Sequence, residues 1–188
     1  MPSLADTDLP PDTLTRARAG DLAAFELIYR VFEPGVRTLA RRLLARPVAA
    51  EDLAQDVFLQ LYRKLDHIES LQHLGFWLRR VAANLAIDWL RRAPYSSTQP
   101  LDENTDVIAP ETDSDPLMSR ELTRLLGELA PHPRAVMLLR YQEDHDVAEI
   151  AAMLDMPVNT VKSHIKRSLT ALRGRMIGAK LIDCEDLP

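Results

Sequence analysis

The 188-residue sequence predicts an all-α protein of two helical domains joined by a flexible acidic linker. Apolar residues recur at spacings of three and four along most of the chain, the period of a half-buried helix rather than a strand. Six glycines are too few for the turns of a hairpin-rich sheet. From Ala93 to Met118 the chain carries six acids, no Lys or Arg and four of its thirteen prolines, so its composition breaks in the middle. The expected organisation is a first domain at 12–92, a linker at 93–115, a second domain at 116–178 and an acidic tail at 179–188.

Glycine, proline and capping residues set the expected elements. Asp12 to Ala19 reads as a short helix stopped by Gly20. Asp21 can cap a second helix through Phe32, with Leu22, Phe25, Ile28 and Phe32 inward. Pro34 suits the first turn of a third helix carrying Val36, Leu39, Leu43 and Leu44, which Pro47 then breaks. A fourth, about Ala49 to Leu65, buries Leu53, Val57, Leu61 and Leu65, so Glu51, Asp52, Gln55 and Asp56 face water. A loop over Asp66 to Gly75, DHIESLQHLG, leads to a fifth helix from Phe76 to Arg92. There Trp77, Val81, Leu85 and Trp89 form an apolar face, and their spacing places the tryptophans in the core. Past the linker, Asp115 and Pro116 open a helix to about Leu129, and Pro131 and Pro133 begin another that runs to about Gln142.

The next segment is the most specific local signal. Asp146 can cap Val147 to Leu154, a three-residue turn follows at Asp155, Met156 and Pro157, and a helix starts at Val158 with Val161, Ile165, Leu169 and Leu172 inward. Ala151, Asp155 and Val161 fall where a helix-turn-helix uses a small residue, a left-handed turn residue and a branched apolar residue. Asp tolerates positive φ better than most residues, although glycine is usual there.

Charge supports a nucleic-acid partner despite a formal total of −5. Met156 to Ile182 holds six basic residues and no acid, and a phosphate backbone responds to that local stripe rather than to the sum. Asn159, Thr160, Lys162, Ser163, Lys166 and Arg167 are the candidate DNA-contacting residues on the face left over by the apolar ones, suited to a helix lying in the major groove.

Several function classes are excluded. The longest stretches free of Asp, Glu, Lys and Arg are nine residues, Ser70 to Leu78 and Ala93 to Leu101, whereas a spanning helix needs about 20 apolar residues. The amino terminus, MPSLADTDLPPD, is not a secretion signal, and the single Cys184 can form neither an internal disulfide nor a zinc site. Five scattered histidines and the absence of a phosphate loop or nucleophile elbow argue against an enzyme. The expectation is a cytoplasmic protein with no catalytic residues, cofactor, metal or membrane contact.

Three segments together resemble one family, the extracytoplasmic-function (ECF) sigma factors of bacterial RNA polymerase. AAEDLAQDVFLQLYRKL at 49–65 is similar to its polymerase-binding helix, FWLRRVAANLAIDWLRR at 76–92 to its promoter-melting helix, and MPVNTVKSHIKRSLTALR at 156–173 to its recognition helix. The resemblance covers about residues 12–178. It implies a sigma domain 2 bundle that binds polymerase and melts the promoter, and a sigma domain 4 helix-turn-helix that reads it. Asp52, Gln55 and Asp56 would dock on the β′ clamp helices of core polymerase, with the β flap a further contact and an anti-sigma factor a further partner. The competing reading of Glu51, Asp52 and Asp56 is that they complement the positive end of their own helix. Arg79, Arg80, Asn84, Arg91 and Arg92 would contact the minus-ten element, with a flipped base held by the preceding loop. For Asn84 the alternative is satisfaction of a buried backbone group.

Residues 159–167 would read the minus-thirty-five element, His164 standing where the family more often has arginine. Asp144-His145-Asp146 replaces the family's usual glycine-containing run. The linker would resemble a family segment that threads toward the RNA exit channel. Two alternatives come from other classes. VNTVKSHI is also similar to the recognition helix of LuxR-type regulators, which leaves the first 92 residues unexplained. A sigma mimic binding an anti-sigma factor would carry a degraded basic stripe, and this stripe is intact.

Overall fold

The computed structural model describes residues 9–92 and 116–178, with side chains from 120 onward in the second part. The acidic linker, the proposed Asp115 cap and the tail lie outside the described residues. The chain divides into two compact units, one ending at Arg92 and the other beginning at Ala93.

Unit 1 contains α1 (Thr13–Arg18), α2 (Leu22–Leu44), α3 (Pro47–Lys64), a single 3-10 turn (Leu65–His67) and α4 (Leu71–Arg92). The α1–α2 corner follows its sequence signals. Gly20 adopts φ +89°, and Asp21 accepts from the backbone N–H of Ala23 at 2.9 Å and Ala24 at 3.2 Å. Arg16 donates to the same Asp21 carboxylate at 2.6 Å, so guanidinium and helix N–H groups together hold its pKa below the usual carboxylate value.

One boundary is corrected. The expected second and third helices are a single 23-residue α2 with Pro34 inside it. A proline in a helix interior costs about 3 kcal/mol because it removes one hydrogen bond and crowds the preceding turn. Here the ring lies on the exposed side, where water can solvate the carbonyl left without a helical partner. On the other side Ile28, Phe32, Val36, Leu39 and Leu43 keep one face buried across the proline. Each such side chain contributes roughly 1.5–3 kcal/mol on burial, so together they outweigh the break. Leu22, expected inward, is 68% exposed at the start of this helix.

The chain turns instead at Ala45, which takes a left-handed φ of 53°, and Pro47 then opens α3 rather than merely ending its predecessor. A second correction concerns α4, which starts at Leu71, five residues before the expected Phe76. Ser70 Oγ accepts from the His73 N–H at 3.1 Å, and His73 Nδ1 accepts from the Glu69 N–H at 3.1 Å. This reciprocal cap shortens the loop to residues 68–70, with Ile68 buried and Glu69 and Ser70 exposed.

A third correction is the inward face of α4. Leu74, Leu78, Ala82 and Ala86 are fully buried, whereas Trp77, Val81, Leu85 and Trp89 are half-buried, one register to the side. Gly75, Ala82, Ala83 and Ala86 are small, so the helix backbone can approach α2 and α3 closely. Two tryptophans would not fit at that contact.

Unit 2 contains α5 (Pro116–Gly127), α6 (Pro131–Tyr141), α7 (Val147–Met153) and α8 (Val158–Gly178). Leu125, Leu138, Leu139, Ile150, Met153 and Val161 form its core. Arg175 reaches Glu128 at 2.8 Å and ties α8 to the end of α5. Ile165 and Leu169, expected inward on α8, are half-buried, and Ser168 is buried instead.

Asp155 adopts φ +51°, and the Met156 N–H donates to the Ala151 carbonyl at 2.9 Å, which closes the end of α7. This conformation costs an L-residue free energy that it does not cost glycine. Asp155→Gly is therefore expected to raise the stability of unit 2 by roughly 0.5–1 kcal/mol, read as a higher Tm.

Candidate nucleic-acid and protein-docking interfaces

The α7–turn–α8 segment has helix-turn-helix geometry. Asp146 accepts from the Glu149 N–H at 2.8 Å while Glu149 accepts from the Asp146 N–H at 2.9 Å, a complete capping box. The Glu149 pKa lies below the usual carboxylate value, chiefly through that backbone hydrogen bond and then through the His145 ring at 3.1 Å. Asp144 takes φ +55°, so an aspartate occupies the left-handed position where a glycine would be unstrained. The His145 N–H donates to the Leu139 carbonyl at 3.0 Å, and Arg140 donates to the His145 carbonyl at 3.0 Å. These bonds fix the entry to α7.

The recognition residues project from α8. Asn159, Lys162, Ser163, Lys166 and Arg167 are exposed, and Thr160 and His164 are half-buried. Val161 is fully buried and Ala151 nearly so, which anchors the turn and turns the opposite face outward. Ser163, Lys166, Arg167, Thr170 and Ala171 line a shallow surface groove along α8. The His164 pKa is lowered, mainly by burial and secondarily by Arg167, so near neutral pH this position adds less positive charge than an arginine would.

On α3, Asp52, Gln55 and Asp56 are all exposed. None lies in the first turn, because the helix begins at Pro47. Complementing the helix end therefore does not account for these acids, since that effect fades within one turn. Glu51 pairs with Arg41 at 3.2 Å, which leaves Asp52 and Asp56 as the open carboxylates of the ridge.

Two apolar residues were missed by sequence reasoning. Leu59 is 53% exposed and Tyr62 58% exposed. Leu59 stands seven residues from Asp52 and Tyr62 seven from Gln55, so both share the acidic face. That spacing, off the buried stripe, was the available signal. Tyr62 meets Phe25 edge-on at 5.3 Å and Phe58 meets Tyr29 at 4.7 Å, so aromatic contacts brace α3 against α2.

On α4, Arg80, Asn84, Arg91 and Arg92 are exposed, while Arg79 is half-buried and donates to the Gly75 carbonyl at 3.3 Å. Asn84 is exposed, and its amide donates to the Arg80 carbonyl at 2.8 Å. Gln60 and Lys64 of α3 join Trp77, Arg80, Asn84 and Asp88 around a groove of ≈ 340 Å³. Among the described residues, no cluster of His, Cys, Asp or Glu could hold a metal ion, and no helix is long and apolar enough to cross a membrane.

A helix-turn-helix with an acid-free outer helix, in one chain with a second helical unit that carries both an acidic ridge and a cationic helix, defines a two-unit α-helical DNA-binding protein. Known families match both units. "Sigma-70 region 2" matches residues 28–94 and "Sigma-70, region 4" matches residues 119–172. The ECF RNA polymerase sigma factor SigW of Bacillus subtilis is 30% identical over 179 residues, covering 87% of this chain and 94% of that one. The RNA polymerase sigma-E factor of Streptomyces coelicolor is 33% identical over 164 residues, covering 86% and 91%.

Solved structures share the fold. CnrH, in complex with the cytosolic domain of CnrY, superposes with a TM-score of 0.64 at 20% identity over 88% of this chain and 96% of that one. RpoE of Bartonella quintana, in complex with the anti-sigma factor NepR, gives 0.63 at 23% identity over 80% and 94%. The chain belongs to the ECF sigma factors and is a transcription initiation factor of RNA polymerase.

Proposed function

We propose a division of labour in which unit 1 docks on core polymerase and opens the minus-ten element, and unit 2 reads the minus-thirty-five element. The supporting observation is the separation of charge among three helices. The carboxylates of Asp52 and Asp56 project from α3, whereas α4 and α8 present arginines and lysines. An acidic ridge suits a basic coiled coil such as the β′ clamp helices, and Leu59 and Tyr62 add the apolar contact that desolvates such an interface. On α4, Arg80, Asn84, Arg91 and Arg92 face the minus-ten strand, with Arg79 behind them. The short loop at 68–70 holds the unstacked base, since opening a duplex costs a few kcal/mol per base unless the exposed base is held.

On α8, Asn159, Thr160, Lys162, Ser163, His164, Lys166 and Arg167 enter the major groove. The chain acts in the cytoplasm without chemistry of its own, and an anti-sigma factor is a fitting regulator, as the complex of RpoE with the anti-sigma factor NepR suggests. The LuxR-type alternative leaves the match of residues 28–94 to region 2 unaccounted for.

Run-off transcription with core enzyme, with and without the full chain, tests the reading. Specific starts are expected only when both are present. Replacing Asp52 and Asp56 with lysine is expected to abolish core binding in pull-down while the isolated chain keeps its helical circular dichroism. If this variant still binds core with unchanged affinity, the acidic ridge is not the docking face.

A further inference from the structure

We propose, building on the assignment of α8 to the minus-thirty-five element, that the second half of this helix seats the DNA sugar–phosphate backbone bordering that element. The seat is a groove floored by Thr170, Ala171 and Gly174 and walled by Lys166, Arg167 and Arg173. Lys166 and Arg167 are shared with the base-reading face, whereas Arg173 and Gly174 stand outside it.

The groove follows from residue size and helical period. Ser163, Lys166, Arg167, Thr170 and Ala171 line ≈ 520 Å³ of it. Gly174 follows Thr170 by four residues and Ala171 by three, so it prolongs the floor toward the end of the helix. Arg173 follows Lys166 by seven and therefore stands on the same wall two turns further on. Arg173 and Gly174 are exposed, as are the residues that line the groove. The Ser163 hydroxyl donates to the Asn159 carbonyl at 2.8 Å and the Thr170 hydroxyl to the Lys166 carbonyl at 3.0 Å. Both hydroxyls lie back on the helix, and the floor stays low between cationic walls.

The fold gives no reason for Gly174. α8 continues to Gly178, so this glycine does not end the helix, and its φ is not positive. A Cβ at this position would meet no atom within 4 Å. An exposed glycine inside a helix costs stability relative to alanine, because it leaves the unfolded chain more freedom to lose. What the missing side chain provides lies on the solvent side, where it lets another backbone approach closely.

Charge selects the kind of backbone. Arg175 pairs with Glu128 at 2.8 Å, and the same carboxylate holds Arg124. Arg173 makes no hydrogen bond or ion pair among the described residues, and no acid occurs from Met156 to Ile182. Three cations along an acid-free groove complement a row of phosphates, which asks for charge and spacing rather than fit to a base edge. Distance then fixes the part of the duplex. From Asn159 to Gly174 the helix rises about 22 Å, whereas the major groove is about 12 Å wide. With the N-terminal residues of α8 at base edges, its second half reaches the strand that forms the groove wall.

The test uses holoenzyme reconstituted from core polymerase and the full chain. Fluorescence anisotropy is measured on a duplex carrying the minus-thirty-five element and on one with those bases scrambled. Arg173→Ala should weaken both by the same factor, roughly threefold to tenfold at low salt, and reduce the slope of log affinity against log salt by about 1. Arg173→Lys keeps the charge and should recover most of that loss. Gly174→Leu should raise the Tm of the free chain, since leucine is the better helix former, and yet weaken both duplexes, since its side chain fills the path of the strand. A residue that served only the fold would not move stability and affinity in opposite directions.

A loss confined to the duplex with the intact element would overturn the proposal, because Arg173 would then read bases. Wild-type affinity in both variants would overturn it too, as would weakened core binding with unchanged DNA binding, which would set the groove against protein. Should Gly174→Leu lower the Tm, Arg173→Ala decides, because removing an exposed side chain opens no cavity. Lys162→Ala combined with Arg167→Ala is the control for the underlying reading. If that pair loses no affinity for the element, α8 does not read it; if the pair does and the other variants match the wild type, only the backbone seat is refuted.

Discussion

Replacing Lys162 and Arg167 together with alanine is expected to weaken promoter binding by about 1–3 kcal/mol for each base-edge hydrogen-bonding partner removed, and to relax specificity at the minus-thirty-five element. Both side chains are exposed on α8, so their removal opens no cavity and the fold should persist. The weakening arises because a major-groove contact exchanges hydration for a fitted donor at a base edge, and alanine leaves that base edge neither hydrated nor paired. Fluorescence anisotropy with duplexes carrying and lacking a minus-thirty-five element separates the two components. Removing a phosphate-binding side chain weakens both duplexes alike, whereas removing a base-reading one weakens only the first. Core polymerase binding should be unaffected, because the proposed docking ridge lies on α3. If this variant and the Asp52 and Asp56 reversal impair core binding equally, the division of labour between the units is wrong.

Phe32→Ala is expected to destabilise unit 1 by about 3–5 kcal/mol, a large share of the stability of a small domain. Phe32 is fully buried at the centre of α2, where that helix packs on α3 and α4. Truncation removes an aromatic ring from a close-packed interior and leaves a cavity that the neighbouring helices cannot close without shifting. It also removes part of what holds α2 together across Pro34. Urea unfolding of the full chain, followed by circular dichroism, should show a transition at lower denaturant for the altered unit. Substituting an exposed residue of the same helix, such as Arg30, should leave the midpoint nearly unchanged. A destabilisation below about 1 kcal/mol would mean that α2 is not the centre of the unit 1 core.

Much of the architecture was legible because short-range chemistry decides it. Gly20 followed by Asp21 carries both a positive-φ residue and an N-cap, so the α1–α2 corner needs nothing from the rest of the chain. The same holds for the Asp146 and Glu149 capping box and for Asp155 in the turn before α8, where spacing and residue type coincide. The family's three segments also fall on α3, α4 and α8, in the order in which their residues were recognised. The start of α4 escaped notice because a histidine, rather than Glu or Gln, answers the Ser70 cap.

The sequence by itself determined the helical class, the unequal distribution of charge and the turn chemistry, because each depends on residue type and on spacings of a few positions. Tertiary structure alone decided three matters. Pro34 and Pro47 carry the same local signal, yet one is absorbed within α2 and the other opens α3, because only the first is spanned by apolar side chains that a neighbouring helix buries. Trp77 and Trp89 share a helical period with the buried residues of α4 but lie one register aside, because the close approach to α2 and α3 admits only small and medium side chains. The Arg46 guanidinium lies over the Trp89 ring, 5.3 Å from its centroid, although the two residues are 43 positions apart in sequence. They meet because the packing of α3 and α4 brings the start of one beside the end of the other, a juxtaposition that no local pattern contains.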